Sequence, residues 1–301
     1  MSPSDANPVN VKQYFADKVV IINEKLTTLL PEPSNRLREA MRYAVLNGGK
    51  RFRPVLAIAT SEMLNGDIQE VLPPACALEF IHCYSLVHDD LPCMDNDDLR
   101  RGRPTTHKQF DEATALLAGN ALISLAFEVV SKSAQSSSLP EIQKINIIQE
   151  LAVASGMNGM VGGQVADLES EGQPIDETRL AYIHSHKTGA LIRAAVLMGA
   201  YASNATEEQI ILLRSYAEKI GLLFQVTDDI LDIEGNEAQR GKKIGGDLEH
   251  DKATYPKIHG MARAKELVQE LMQGCRDDLS MFSDRAKVLV ALSDYVGNRK
   301  I

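Results

Sequence analysis

A chain of 301 residues with 44% hydrophobic and 24% charged residues has the composition of a globular protein with a substantial core, which excludes a disordered or fibrous chain. Its 41 acidic residues outweigh 32 basic ones, for a net charge of −9, and this balance speaks against a general binder of nucleic acid or of an anionic membrane. Aromatic residues at 5%, with no Trp, lean weakly towards helix. The four cysteines, Cys76, Cys83, Cys93 and Cys275, form no CxxC pair and read as reduced thiols. Without a basic-then-apolar leader, and with apolar runs broken by charge or glycine before 18 positions, the chain is expected to be cytoplasmic and to lack a transmembrane span.

In chain order, residues 1–10 read as a flexible tail and residues 11–30 as a first helix, ended by Pro31-Glu32-Pro33. Residues 35–46 repeat the helical spacing and stop at Asn47-Gly48-Gly49. Pro54 is expected to open a helix running to residue 64, and Pro73-Pro74 a long apolar helix reaching residue 88. After a basic loop, helices are expected over 113–130, 141–154, 177–201, 207–234, 256–272 and 286–295, with Thr206 and Gln209 as a capping box. No alternating strand series and no fixed-period repeat is present. The expected architecture is all-α, a single large helical bundle over residues 11–301.

Two acidic runs end or interrupt apolar helices. The first holds Asp89, Asp90 and Asp95; the second, about 139 positions on, holds Asp228, Asp229 and Asp232. On a helix Asp228 and Asp232 lie about 40° apart and Asp229 about 60° from Asp232, so one face carries all three. A single acidic run is as well explained by a solvated helix face. Two runs set in apolar helices are not, because carboxylates are costly to remove from water unless paired or bound to a cation. Oxygen-only ligation favours a hard divalent cation such as Mg2+, which binds a few carboxylates together with water and substrate phosphates. Basic residues to meet such phosphates follow at Arg100, Arg101 and Arg103, precede the runs in Gly48-Gly49-Lys50-Arg51-Phe52-Arg53-Pro54, and recur at Lys187, Lys242 and Lys252. Pro92 should distort the helix between Asp89 and Asp95, which in a straight helix would stand about 120° apart.

Six ordered landmarks carry a family resemblance: GGKRFRP at 48–54, HDDLPCMDNDDLRRGRPT at 88–105, GGQ at 162–164, HKTGALI at 186–192, FQVTDDILD at 224–232 and KATYP at 252–256. Over nearly the whole chain the sequence resembles the trans-isoprenyl diphosphate synthases, particularly the bacterial short-chain farnesyl diphosphate synthases. The resemblance implies an isoprenoid-synthase-type bundle with a central active-site cavity, usually in a homodimer whose interface uses helices from the middle of the chain. It implies that Asp89, Asp90, Asp95, Asp228, Asp229 and Asp232 bind Mg2+, as three ions per active site. Arg100, Lys187 and Lys242 would contact the allylic diphosphate, and Thr188 and Gln225 would line the same pocket. Lys50, Arg53, His82 and Arg101 would hold isopentenyl diphosphate.

The implied reaction is condensation of isopentenyl diphosphate with dimethylallyl and geranyl diphosphate through ionisation, attack and proton loss, with Lys187 and Thr188 steadying the cation. Tyr84, five residues before Asp89, with the wide spacing of the first motif, is associated in this family with stopping at C15, farnesyl diphosphate. Geranylgeranyl or geranyl diphosphate synthesis remains an alternative. A terpene cyclase would use the same bundle without needing the second-substrate residues, and a non-catalytic partner subunit would not need both aspartate runs. Gln164 and Asp167, beside Gly162-Gly163, either face the cavity or merely accompany close helix packing.

Overall fold

The computed structural model describes residues 9–234 and 254–299. Helix α1 (Val11–Leu29) begins at Asn10, whose side chain accepts the Gln13 N–H, and α2 (Arg36–Leu46) is capped in the same way by Asn35. Helix α3 (Phe52–Met63) starts two residues before Pro54, which stays within its first turn. Helix α4 (Ile68–Asp89) likewise starts at Asp67, whose carboxylate accepts the Gln69 N–H at 2.9 Å, and this cap places Pro73 and Pro74 inside the helix instead of at its mouth.

A two-residue ladder pairs β1 (Leu99–Arg100) with β2 (Arg103–Pro104), too short to leave a period-2 signal in the sequence. Then follow α5 (Thr106–Gln109), α6 (Glu112–Ser136), α7 (Glu141–Ser155) and α8 (Met160–Leu168). Helix α8 is not among the expected elements; its glycines hide the helical pattern. The single helix expected over 177–201 is three pieces, α9 (Glu177–Ile183), a π-helical turn His184–Thr188 and α10 (Gly189–Tyr201). Helix α11 (Glu207–Glu234) opens on the expected capping box, with the Thr206 N–H on Gln209 Oε1 at 2.9 Å and the Gln209 N–H on Thr206 Oγ1 at 3.3 Å. The chain closes with α12 (Tyr255–His259), α13 (Met261–Leu279), a 3₁₀ turn Ser280–Ala286 and α14 (Lys287–Gly297).

Helix α10 is buried along almost its whole length and packs against α3, α4, α7 and α11. Close approach is built in at Gly199, where a Cβ would lie 2.3 Å from the Ala57 carbonyl oxygen of α3. One contiguous apolar core runs from Ile22 to Val296. Alone among the described residues, α6 is long and apolar enough to cross a membrane by length and composition, although Gly119 and Glu128 interrupt its apolar run. Its Ala118, Leu122 and Ala126 are fully buried, and the helix packs on α4 and α2.

Candidate active site

The first aspartate run sits where α4 stops. Pro92 does not bend the helix; the helix ends at Asp89, and a tight turn reverses the chain. The Met94 and Asn96 amides donate to the Leu91 carbonyl at 2.9 and 3.1 Å, and the Asp95 amide donates to the Asp89 carbonyl at 2.9 Å. Asp95 is thereby returned beside Asp89. Burial pushes the Asp89 carboxyl up to about 6; Lys187 opposes that shift and Asp95 adds to it. Asp90, 3% exposed, is held by Arg100 of β1, whose Nε donates at 2.8 Å and whose Nη2 also reaches Asp97 at 2.9 Å.

The second run lies near the C-terminal end of α11, with Asp229 and Asp232 buried. A chain of hydrogen bonds ties it to the π-helical turn: Thr188 Oγ1 donates to Gln225 Oε1 at 2.9 Å, and Gln225 Nε2 donates to Asp229 Oδ1 at 2.8 Å. The other oxygen of Asp229 accepts the Tyr255 N–H at 2.8 Å, with His184 Nε2 at 3.5 Å. A π turn inserts one extra residue into a helical register, a device common at functional sites. Here it carries Lys187 and Thr188 at the site, with Lys187 Nζ on Asp167 Oδ2 at 2.5 Å. Gly163 of α8 makes the turn fit, since a Cβ there would lie 2.1 Å from the Lys187 backbone nitrogen. Asp167, His184, Lys187, Thr188, Gln225 and Asp229 line a small cavity of about 110 Å³, so Asp167 faces the cavity.

Thr188 and Gln225 also line a second cavity of about 1130 Å³, together with Lys50, Arg53, His82, Arg100, Arg101 and Asp228. All four residues assigned to isopentenyl diphosphate are thus brought together. Burial lowers the Arg53 pKa, and Arg53 Nε makes no hydrogen bond among the described residues. His82 is kept neutral, its pKa driven down first by burial and then by the positive charge of Arg53, Arg101, Arg51 and Arg100. A desolvated cation with an idle donor, beside an imidazole that arginines keep unprotonated, is a preorganised anion site. Arg101, at φ 56°, folds its guanidinium onto the Gly48 carbonyl; a Cβ on Gly49 would stand 2.8 Å from that guanidinium, so the glycine makes room for the arginine.

Sequence reasoning missed Arg299. Its Nη1 pairs with Asp228 Oδ1 at 2.9 Å, its Cζ stands 4.1 Å over the Phe224 ring, and it lines the large cavity. Nothing near residue 299 in the sequence signals this; only the path of α14 brings it there. Tyr84 is 6% exposed and lines neither cavity; its hydroxyl lies 3.4 Å from the Ser155 carbonyl and its ring packs edge-on to His88. Lys242 lies outside the described residues.

Among the described residues no three His, Cys, Asp or Glu side chains converge as a ready-made metal site. The protein's own groups stand on several of the carboxylates: Arg100 on Asp90, Arg299 on Asp228, and Gln225 with the Tyr255 amide on Asp229. The donor set nevertheless fits a hard divalent cation, being all carboxylate oxygen, and at Asp89 burial beside Asp95 leaves negative charge that such a cation would compensate.

The polyprenyl synthetase family profile matches residues 34–289. The chain is 44% identical to the heterodimeric geranylgeranyl pyrophosphate synthase large subunit 1 of Arabidopsis thaliana, over 99% of this chain and 81% of that protein. It is 45% identical to a geranylfarnesyl diphosphate synthase of Leucosceptrum canum, over 96% of this chain and 80% of that protein. An FPP/GFPP synthase from Zymomonas mobilis superposes with a TM-score of 0.85 at 38% identity, covering 96% of this chain and 99% of that one. These relatives carry different product names, so the likeness to farnesyl diphosphate synthases in particular is not upheld over the other members. The matched span takes in both aspartate runs, the π turn and the cationic wall of the large cavity, and the chain therefore belongs to the polyprenyl synthetase family, the trans-isoprenyl diphosphate synthases.

Proposed function

We propose that this trans-prenyltransferase condenses isopentenyl diphosphate with dimethylallyl and then geranyl diphosphate, releasing farnesyl diphosphate. The observation that carries a condensation, as against a cyclisation, is the cationic cavity of Lys50, Arg53, Arg101 and neutral His82, which a one-substrate enzyme would not need. In this reading Asp89, Asp90 and Asp95 on one side and Asp228, Asp229 and Asp232 on the other hold Mg2+, three ions per site. When bound, the metal would draw charge from the allylic diphosphate and assist its departure. Lys187, Arg100 and Lys242 would orient that diphosphate. The Thr188 hydroxyl and the Lys187 carbonyl would lie against the cationic carbons, with Gln225 fixing the hydroxyl through the 2.9 Å bond. Lys50, Arg53, His82 and Arg101 would hold the second diphosphate so that its double bond faces the cation, and departing diphosphate would take the proton. Residues 11–301 act in this reading as one catalytic unit, and four free thiols favour a cytoplasmic setting.

Product analysis by mass, with dimethylallyl diphosphate, isopentenyl diphosphate and Mg2+, is expected to give C15 diphosphate that EDTA removes. Tyr84 as chain-length floor rests on the family resemblance and not on the cavity lining, which does not include it, and on that reading Tyr84→Ala should lengthen the product to C20. A wild-type C20 product would remove the floor and favour geranylgeranyl diphosphate, the product in several relatives' names; no elongation with any allylic primer would sink the condensation itself.

Exposed apolar side chains on consecutive middle helices, among them Leu117 of α6, Ile142 and Ile145 of α7 and Val165 of α8, with Met157 between the last two, support pairing with a second copy. Light scattering should then report two chains per particle, and a monomer at micromolar concentration would count against pairing.

A further inference from the structure

We propose that Arg51 is a positioning residue for the isopentenyl diphosphate pocket, setting the register of Lys50 and Arg53 against His82 without itself binding the ligand. The inference rests on the reading of the large cavity given above. Three cations stand within Lys50-Arg51-Phe52-Arg53, and the family resemblance gives Lys50 and Arg53 to the ligand while leaving Arg51 without a role. The fold supplies one. Arg51 is 3% exposed and its guanidinium is spent inside the protein: Nε donates to Asn23 Oδ1 of α1 at 3.0 Å, Nη1 to Glu79 Oε1 of α4 at 2.7 Å, and Nη2 to the Val45 carbonyl of α2 at 2.7 Å. One side chain thus ties three helices to the first turn of α3.

The backbone at Arg51 is left-handed, φ 51° and ψ 31°, a conformation that a β-carbon disfavours and that persists where surroundings over-determine it. The three bonds, two of them fully buried, supply that determination. All three cations border the cavity, but Arg51 meets it with its nitrogens already donating to protein acceptors, whereas Arg53 Nε makes no hydrogen bond among the described residues; Glu79 lies three residues, close to one helical turn, before His82 on the same face of α4. The Arg51–Glu79 bond therefore joins the backbone bearing two of the pocket's cations to the helix bearing its imidazole. Glu79 itself is 1% exposed and borders a cavity built for an anion, where its charge works against the ligand.

That opposition of signs makes the inference testable. If Glu79 acted on the pocket through its charge alone, Glu79→Gln would tighten binding of isopentenyl diphosphate; a positioning role requires the reverse. Calorimetric binding of isopentenyl diphosphate to the full-length protein, with steady-state kinetics and thermal melts, is expected to show about tenfold weaker binding in Glu79→Gln and Arg51→Lys, the scale of one charge-assisted hydrogen bond. KM for isopentenyl diphosphate should rise to match while KM for the allylic substrate changes by less than about twofold. Asn23→Ala, which removes one bond and neither charge, should give a smaller rise in the same KM, and it decides the matter if the other variants do not fold. Lys50→Ala is the control for the pocket. If it weakens binding while Glu79→Gln, Arg51→Lys and Asn23→Ala bind as wild type or more tightly, the positioning role is overturned and the pocket stands; lower melting temperatures with an unchanged KM overturn it equally. If wild type does not bind the ligand, or Lys50→Ala binds as well as wild type, the pocket reading fails and the inference with it.

Discussion

Asp89→Asn is expected to lower turnover by about 10³-fold and, in metal-free protein, to raise the melting temperature. The carboxyl is desolvated beside Asp95, and its pKa rises from the usual 3.8 to about 6, so the ionised form is disfavoured in the folded state. A raised carboxylate pKa means the native state binds more protons than the unfolded chain between these values. Its contribution is most favourable below about 4 and is lost as pH rises to about 6. At neutral pH the charge therefore costs on the order of 1–3 kcal/mol, which a neutral amide of the same shape removes. Loss of a ligand to the metal that would draw charge from the departing diphosphate should cost about 10³-fold in kcat. Melts in EDTA from pH 4 to 7, beside single-turnover rates in Mg2+, check both signs. A variant less stable than wild type at pH 7 would show that Asp89 is not an uncompensated charge, and full activity would remove it from the metal set.

Gly163→Ala should lower kcat by about a hundredfold, the scale of a misplacement of about 1 Å at a reacting centre. The added Cβ would lie 2.1 Å from the Lys187 nitrogen, 2.6 Å from its Cα and 2.7 Å from the His186 carbonyl carbon. These are backbone atoms, so no rotamer change relieves the clash, and either α8 or the π turn must move. The turn carries Lys187 and Thr188, and Thr188 in turn holds Gln225 and, through it, Asp229. Gly199→Ala is the comparison, because its Cβ would meet the Ala57 carbonyl at 2.3 Å in the packed core between α10 and α3. Both variants should lose stability, about 1–3 kcal/mol each. Only the variant at 163 should lose kcat out of proportion to its folded fraction, and equal losses in the two would make Gly163 a packing residue alone.

Much of the site was legible along the chain. Spacing alone puts the second aspartate run on one helical face, and α11 carries it, opened by the Thr206–Gln209 cap. The chemistry of the acidic runs calls for the glycine-flanked basic runs beside them, and Lys50, Arg53, Arg100 and Arg101 share a cavity with Asp228. The sequence predicts a distorted helix at Pro92; the distortion is a full stop at Asp89, because a chain turning back on Leu91 satisfies the freed amides, and the turn returns Asp95 to Asp89. Pro73 and Pro74 misled because proline is permitted inside a helix wherever packing and a stronger cap, here Asp67, outweigh its missing N–H.

By itself the sequence determined what depends on near neighbours: helical class, most caps, the spacing of each acidic run and the glycine-bracketed basic segments. These follow from rotation per residue and from side chains reaching their own backbone, which act within a turn or two. The tertiary structure decided what depends on partners far along the chain. It gave Arg51 a buried partner in Glu79, brought Arg299 from the far end onto Asp228, and held a π turn in place against Gly163. Buried charge is the reason such choices are made at that level, since a guanidinium or carboxylate removed from water must find a partner in whichever element the packing brings within about 3 Å.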